Sequence, residues 1–304
     1  MRLSILLALV VSSTLASAGY KGFNHGAFFS NNTAKQQSDF EAAFNAAKAL
    51  KDAPDYNSAR LFTTIQHNTT NTPTSAIQAA INTNTSLFLG LWCSAGDAVF
   101  ENELVALKAA IAQYGQPFVD KIVGISVGSE DLFRASAIGM KKQKDPGVNA
   151  EVLVAYLIRT RNAIGTTIAR DKWIGHVDKP VMTACAFIGM VAHPYYDDDT
   201  TNSIDNANAI FWQGYNATQF AAPGRPVWIA GTGWPIVGET SGQAVASTEN
   251  ARRYWKEVQC SATQAAITTY WHDLNDGPSS PSFSVLGGLE GQAFDQEPLF
   301  PLYC

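Results

Sequence analysis

The stretch IVGISVGSEDLFR, residues 122–134, is an apolar run that breaks abruptly into charge. A short apolar run bounded by turn residues reads as a buried strand, here residues 122–128, with Glu130 placed just past its end. The same pattern recurs outward along the chain at residues 21–27, 60–65, 87–92, 173–177, 187–192, 227–230 and 266–271, which makes eight strands. Helical spacing fills the gaps. Phe40, Phe44 and Ala47 share a face, as do Leu104, Leu107, Ile111 and Tyr114 ahead of a capping Gly115. Asn149 is placed to cap a long helix carrying Leu153, Leu157, Ile164 and Ile168, and weaker helices are expected at residues 206–211 and around Ala251, Tyr254, Trp255 and Val258. Alternating strand and helix without a Pro/Gly-rich linker or charge run predicts an α/β protein, a single (β/α)8 TIM barrel. One unit breaks the pattern: Val177 is followed almost at once by the apolar run from Val181, too soon for a full crossover, so the fifth βα unit is expected to be shortened.

Of 304 residues 46% are hydrophobic and 15% charged, which excludes a disordered chain. Lys and Arg number 21 against 26 Asp and Glu, a net charge of −5 that argues against nucleic acid as a partner. Residues 1–18 carry one Arg, an apolar run and Ala16-Ser17-Ala18, the layout of a secretory signal peptide, leaving 19–304 for the barrel. The apolar run is too short for a membrane anchor, and no membrane association is expected. Secretion agrees with four cysteines, Cys93, Cys185, Cys260 and Cys304. Three pairings are open. Cys260 with Cys304 is the expected bridge because it would tie down a terminus, against the alternative of buried free thiols. No cysteine pair or histidine pair has zinc-ligand spacing, and Gly231-Thr232-Gly233 lacks the third glycine of a dinucleotide fingerprint, so neither metal nor cofactor is expected. Sequons at Asn31, Asn68, Asn84 and Asn216 are expected on surface loops of a monomer.

In such barrels chemistry sits at the C-terminal ends of the strands. Glu130 is well placed there to protonate a leaving oxygen, although a loop Glu beside a helix start has the same look. Gly124-Ile125-Ser126-Val127-Gly128 matches the G-x-S-x-G nucleophile elbow of esterases, but Ser126 lies inside an alternating strand rather than at a strand-to-helix turn. Aromatic residues collect where strands end: Trp92, Tyr195 and Tyr196 after His193-Pro194, Trp234, and Trp271 ahead of His272-Asp273. Flat rings with polar edges suit sugar faces. Trp228, in mid-strand, reads instead as core.

Taken together, YKGFNHGA, KQQSDFEAAF, GISVGSEDLFR, GHVD, HPYY, WIAGTGWP and YWHDLND resemble, in order and spacing, the fungal members of glycoside hydrolase family 17. The resemblance implies an extracellular β-1,3-glucan hydrolase or glucanosyltransferase that retains anomeric configuration. Its acid/base falls on Glu130, within V-G-[NS]-E, and its glucan contacts on Trp92, Ser129, Tyr195, Tyr196, Trp234 and Asp273. The family's nucleophile, the Glu of E-T-G-W-P, falls on Gly231. Its Y-P-Y-Y reads His193-Pro194-Tyr195-Tyr196, and its V-D-T-W reads Val177-Asp178-Lys179-Pro180. A retaining glycosidase needs two carboxyl groups, so these departures imply impaired catalysis, with Asp178, Glu239 and Asp273 the nearby carboxyls that could substitute. A glucan-binding protein without turnover is the alternative from another class.

Overall fold

A computed structural model describes residues 19–142, 146–178, 184–288, 291–295 and 297–304. The expected leader and Lys179 and Pro180 of the short fifth connection lie outside these residues. The strands close in chain order into one parallel barrel: β1 (Lys21–His25), β2 (Ser58–Leu61), β3 (Ser86–Leu91), β4 (Ile122–Ser129), β5 (Ile174–Val177), β6 (Ile188–Val191), β7 (Val227–Thr232) and β8 (Thr269–Trp271), with β8 pairing back onto β1. Around it pack α1 (Gln37–Lys48), α2 (Ala76–Thr83), α3 (Asp97–Val119), the short α4 (Asp131–Ala135) and α5 (Gly139–Lys142), α6 (Ala150–Gly165), α7 (Ile204–Ala221), α8 (Thr248–Tyr254) and α9 (Cys260–Gln264). A π-helical stretch, Trp255–Gln259, joins the last two. The expected (β/α)8 barrel is therefore present, and its fifth unit is short: β5 pairs directly with β6, and the described residues between them form no helix.

Element ends differ from expectation for identifiable reasons. β2 stops at Leu61 because the chain turns away to satisfy Glu103, whose carboxylate accepts from the Thr64 amide (2.8 Å) and hydroxyl (2.6 Å). β8 begins at Thr269 because Ala266 adopts a left-handed conformation and Ile267 closes the end of α9 on the Ala262 carbonyl. β7 runs on through Gly231 and Thr232, which still pair with Val191 and Trp271. Asn149 caps α6 as expected, accepting from the Val152 amide at 2.9 Å. Ile168 lies beyond that helix and is exposed, contrary to its expected place on the buried face. The helix expected at residues 206–211 is three times longer, because Ala207, Phe211, Tyr215 and Thr218 continue one buried stripe through a polar sequence. Gly115 breaks α3 with φ +59°, and Pro117 opens the turn beyond it. Cys260 is bonded to Cys304, pinning the C-terminal tail beside Trp255, whose indole donates to the Leu302 carbonyl (2.9 Å). Cys93 and Cys185 are buried free thiols. All four sequon asparagines are exposed, although Asn216 stands on α7 rather than a loop.

The bore is filled by rings. Trp228 stacks on Phe187 at 3.9 Å and 10°, Phe88 meets both edge-on, and Tyr270 leans on Phe88 while bonding the Ser58 hydroxyl at 2.9 Å. Glycines on β4 and β5 make this possible: a Cβ on Gly124 would lie 2.8 Å from the Trp228 ring, and one on Gly175 2.8 Å from Phe187. Trp228 is thus a packing residue, as its mid-strand position suggests. Trp228→Ala is expected to lower stability by about 3–5 kcal/mol in urea unfolding, the usual loss for truncating a buried aromatic. A loss below about 1 kcal/mol would show that the bore collapses around the gap.

Candidate active site

The upper layer of the bore carries a charge. Arg60, third residue of β2, is 3% exposed and stands over the Phe88 ring (5.6 Å from Cζ to centroid), with Phe62 at 4.8 Å. Its Nη1 donates to Asn24 Oδ1 (2.8 Å) and the Ala230 carbonyl (3.0 Å), and its Nη2 to Ser129 Oγ (2.8 Å). One guanidinium therefore bridges β7 to β4 across the barrel, bonding the residues that immediately precede Gly231 and Glu130. Burial pulls its pKa down to about 10 against the opposing field of Glu130.

Glu130 leaves β4 in a left-handed conformation, φ 57° and ψ 21°, with its amide bonded to the Val177 carbonyl at 2.6 Å. Two carboxylates fix the turn. Asp131 accepts from the Ser129 amide (2.6 Å) and from the Ser94 hydroxyl, and pairs with Arg134 at 3.3 Å. Asp178 accepts from the Leu132 and Phe133 amides at 2.8 and 3.0 Å. Asp178, expected as a possible substitute nucleophile, is thus engaged in holding the turn that follows Glu130. Glu239 is an exposed loop residue whose carbonyl accepts from the Tyr195 hydroxyl. Gly231 has room for a side chain: the nearest atoms to a Cβ there would be Val191 methyls at 3.4 and 3.5 Å and Asn24 Nδ2 at 3.8 Å.

The esterase reading fails on contact. Ser126 is buried in β4 with its hydroxyl bonded to the Gly128 carbonyl at 2.5 Å, and both glycines of the motif have other reasons to be there. Gly124 accommodates Trp228, while Gly128 has φ +78° and faces the Asp131 carboxylate.

Among the aromatic residues expected to meet sugar, Tyr196 is 48% exposed and Trp92 is half-buried with Arg134 over its ring. Trp234 corrects the expectation. It is fully buried between Tyr195 and Tyr254, with its indole bonded to the Val245 carbonyl at 3.0 Å, and presents no ring face. Tyr195 is likewise buried, donating to Glu239. Phe28, 49% exposed and lying on His67, adds a ring that the sequence did not single out. Arg60 and Asn24 were also missed, and their only sequence signal was polarity inside otherwise apolar runs. A cavity of about 620 Å³ opens at the opposite, N-terminal end of the barrel beside Tyr20 and Trp173, away from these groups. Among the described residues no cluster of three His, Cys, Asp or Glu could hold a metal.

Three histidines near the strand ends resist protonation. Burial, with Lys35 nearby, lowers His25 to about 3; burial, with His272 and Arg60, lowers His193 to about 3; His272 is lowered by burial and by Arg60. Asp273 moves oppositely, raised by burial to about 7. Between pH 6.5 and 3 the unfolded chain binds a proton on His25 that the folded chain refuses, so stability falls on acidification. Asp273 acts in the reverse sense, since the folded chain keeps a proton up to about pH 7 that the unfolded chain releases near its ordinary value, so its contribution falls as pH rises. Replacing His25 by Leu should remove about 2 kcal/mol of the loss seen between pH 7 and pH 5, while Asp273→Asn should steepen that loss. Urea midpoints across this pH range measure both slopes. Unchanged slopes would mean that these groups titrate as they do in water.

Residues 20–286 match the BtgE/BtgC glycoside hydrolase domain. The chain is 43% identical to the probable glucan endo-1,3-beta-glucosidase eglC of Aspergillus oryzae, over all of this chain and 67% of that one, and 42% identical to the Aspergillus fumigatus protein of that name, over all of this chain and 70% of it. It therefore spans about two thirds of the length of these relatives. The crystal structure of the glycoside hydrolase family 17 beta-1,3-glucanosyltransferase from Rhizomucor miehei has a similar fold, with a TM-score of 0.72 and 25% identity over 92% of this chain and 98% of that one. With a domain match that runs from β1 past β8, this chain belongs to the BtgE/BtgC glycoside hydrolase family, of the family 17 fungal type that its motifs resemble.

Proposed function

We propose that this protein acts outside the cell on β-1,3-glucan, binding it across the C-terminal face of the barrel, with Glu130 in the acid/base position and the nucleophile position held by Gly231. The reading is supported by the names of its relatives, glucan endo-1,3-beta-glucosidases and a β-1,3-glucanosyltransferase, and by the leader-like residues 1–18. The observation that carries it is the Arg60 bridge, which places the residue before Glu130 and the residue before Gly231 on one guanidinium. Two positions facing each other across a barrel mouth are what a double displacement requires, one to protonate the leaving oxygen and one to attack the anomeric carbon. Only the first has a carboxyl group here. Tyr196, Trp92 and Ser129 line the same face as candidate glucan contacts, with Asp273 beyond β8. The second reading, a glucan-binding protein without turnover, is favoured by Gly231 itself.

Laminarin decides between them. The protein as it stands should bind laminarin saturably and release few reducing ends, and Gly231→Glu should raise turnover by about 10⁴-fold or more, the scale lost when a catalytic nucleophile is removed. The backbone accepts a Cβ at this position without close contact, so the variant should fold. Substantial turnover by the unaltered protein that survives a combined Glu239→Gln and Asp273→Asn change would show that the site uses other residues.

A further inference from the structure

Between β1 and α1 the chain turns back on itself in a short hairpin whose tip is Ser30, Asn31 and Asn32. Phe28 bridges Ala34 in the antiparallel sense, the Phe29 amide donates to the Thr33 carbonyl at 2.9 Å, and the Asn32 amide donates to the Phe29 carbonyl at 2.8 Å. Asn32 is left-handed, with φ 65°. A three-residue loop closed by these two bonds and ending in a left-handed residue is a type I turn with a bulge. It sets the first, third and fifth residues, Phe29, Asn31 and Thr33, on one face and leaves Phe28 and Ala34 on the other. The tip is anchored on both sides: Asn32 Oδ1 meets His67 Nε2 at 3.0 Å, and Lys35 Nζ stands over the Phe29 ring, 5.3 Å from its centroid.

Residues 29–33 read Phe-Ser-Asn-Asn-Thr, so this face carries a ring, a sequon asparagine and the sequon hydroxyl side by side. Asn31 and Thr33 are exposed and Phe29 is half-buried. Asn31 Oδ1 accepts from the Thr33 amide at 2.9 Å, which fixes the side chain by its oxygen and leaves Nδ2, the atom that takes sugar, outside that bond. The other sequons are built differently. Two positions before Asn68, Asn84 and Asn216 stand Gln66, Asn82 and Gly214, none of them aromatic. Asn84 Oδ1 is engaged by the Lys121 ammonium, and Thr218 of the Asn216 sequon is buried in α7 with its hydroxyl on the Gly214 carbonyl at 2.9 Å. We propose that Asn31 carries an N-linked glycan whose innermost N-acetylglucosamine lies against the Phe29 ring and becomes part of the hairpin. The oligosaccharide comes from a polyprenyl-pyrophosphate donor: the N–C bond to Asn31 Nδ2 forms as the sugar–phosphate bond breaks, one amide proton is lost and the lipid pyrophosphate leaves. The C–H face of a pyranose is apolar and flat, which suits a ring held at a fixed height beside the attachment point. Phe28, on the opposite face of the hairpin, stays clear of the sugar.

Glycosylation of this kind requires export, so the site rests on the reading that the protein acts outside the cell. The test uses the full chain produced in a secreting yeast, with its glycans trimmed by an endoglycosidase to a single N-acetylglucosamine. Peptide mass spectrometry should find that sugar on Asn31, in the unaltered protein and in Phe29→Leu. Asn31→Gln should then lower Tm by about 2–4 °C, the scale of one lost aromatic contact in a chain of this size. In the Phe29→Leu background the same change should lower Tm by less than half as much. The Asn31 bond to Thr33 is lost in both backgrounds, so the difference between them reads the contact of sugar with ring. A bare Asn31 in a protein glycosylated at another sequon, or equal Tm losses in the two backgrounds, would overturn the site and leave export standing. A chain retained in the cell with no sugar on any sequon would overturn both.

Discussion

Trp228 lies flat against Phe187 in the bore of the barrel, and that stack sets what every neighbouring strand can carry. Two large rings at this level leave no volume for side chains on the facing strands, so β4 and β5 present Gly124 and Gly175 there. Close packing of this kind is felt at the scale of a methylene, which makes the pairing of large and small residues a condition of closure. Phe88 and Tyr270 then complete the layer, and Arg60 rests on Phe88 directly above. The height of Arg60 in the barrel is therefore fixed from below, by packed rings.

Above that layer the barrel mouth is built in two halves with different supports. On the β4 and β5 side, Glu130 is held by backbone and carboxylates: its amide bonds Val177, Asp178 caps the turn that follows, and Asp131 ties that turn to Ser94 and Arg134. On the β7 side the support is the strand pairing, the Arg60 bond to the Ala230 carbonyl and a bond between the Thr232 and Tyr254 hydroxyls at 2.8 Å. The guanidinium joins the halves through Ser129. Gly231 and Thr232 pair with Val191 and Trp271 through the backbone, so β7 keeps its place between β6 and β8 with no side chain at 231.

What the sequence revealed follows the range over which each interaction acts. Strand existence was legible in all eight runs, because parallel strands buried on both faces are apolar nearly throughout. So was the shortened fifth unit, since spacing between apolar runs is a local quantity. Strand ends were less so: β2 ends where a distant partner, Glu103, draws residues 63 and 64 away, and β8 starts late because Ala266 takes a left-handed conformation that its residue type does not signal. Trp234 shows the same limit for the site. Its place after a strand matched a sugar platform, yet Tyr195, Tyr254 and the Val245 carbonyl enclose it, and none of these is near it in sequence except the last. G-x-S-x-G could be set aside from the sequence because Ser126 falls in mid-strand, and its glycines are explained by a ring on β7 and a left-handed turn.

Arg60 illustrates how the barrel mouth holds its geometry with a glycine at 231. A charge inside an apolar strand needs acceptors for its donors, and Asn24, Ala230 and Ser129 supply three from three strands while Glu130 acts on it through space. Those bonds are made with glycine at 231, so the geometry of the mouth does not require a carboxylate there. Its electrostatics are set in part by Arg60, whose field adds to burial in lowering the pKa values of His193 and His272. The bonds that hold the guanidinium come from residues on β1, β4 and β7 other than 231, so the cation keeps its place above the ring layer whichever side chain follows Ala230.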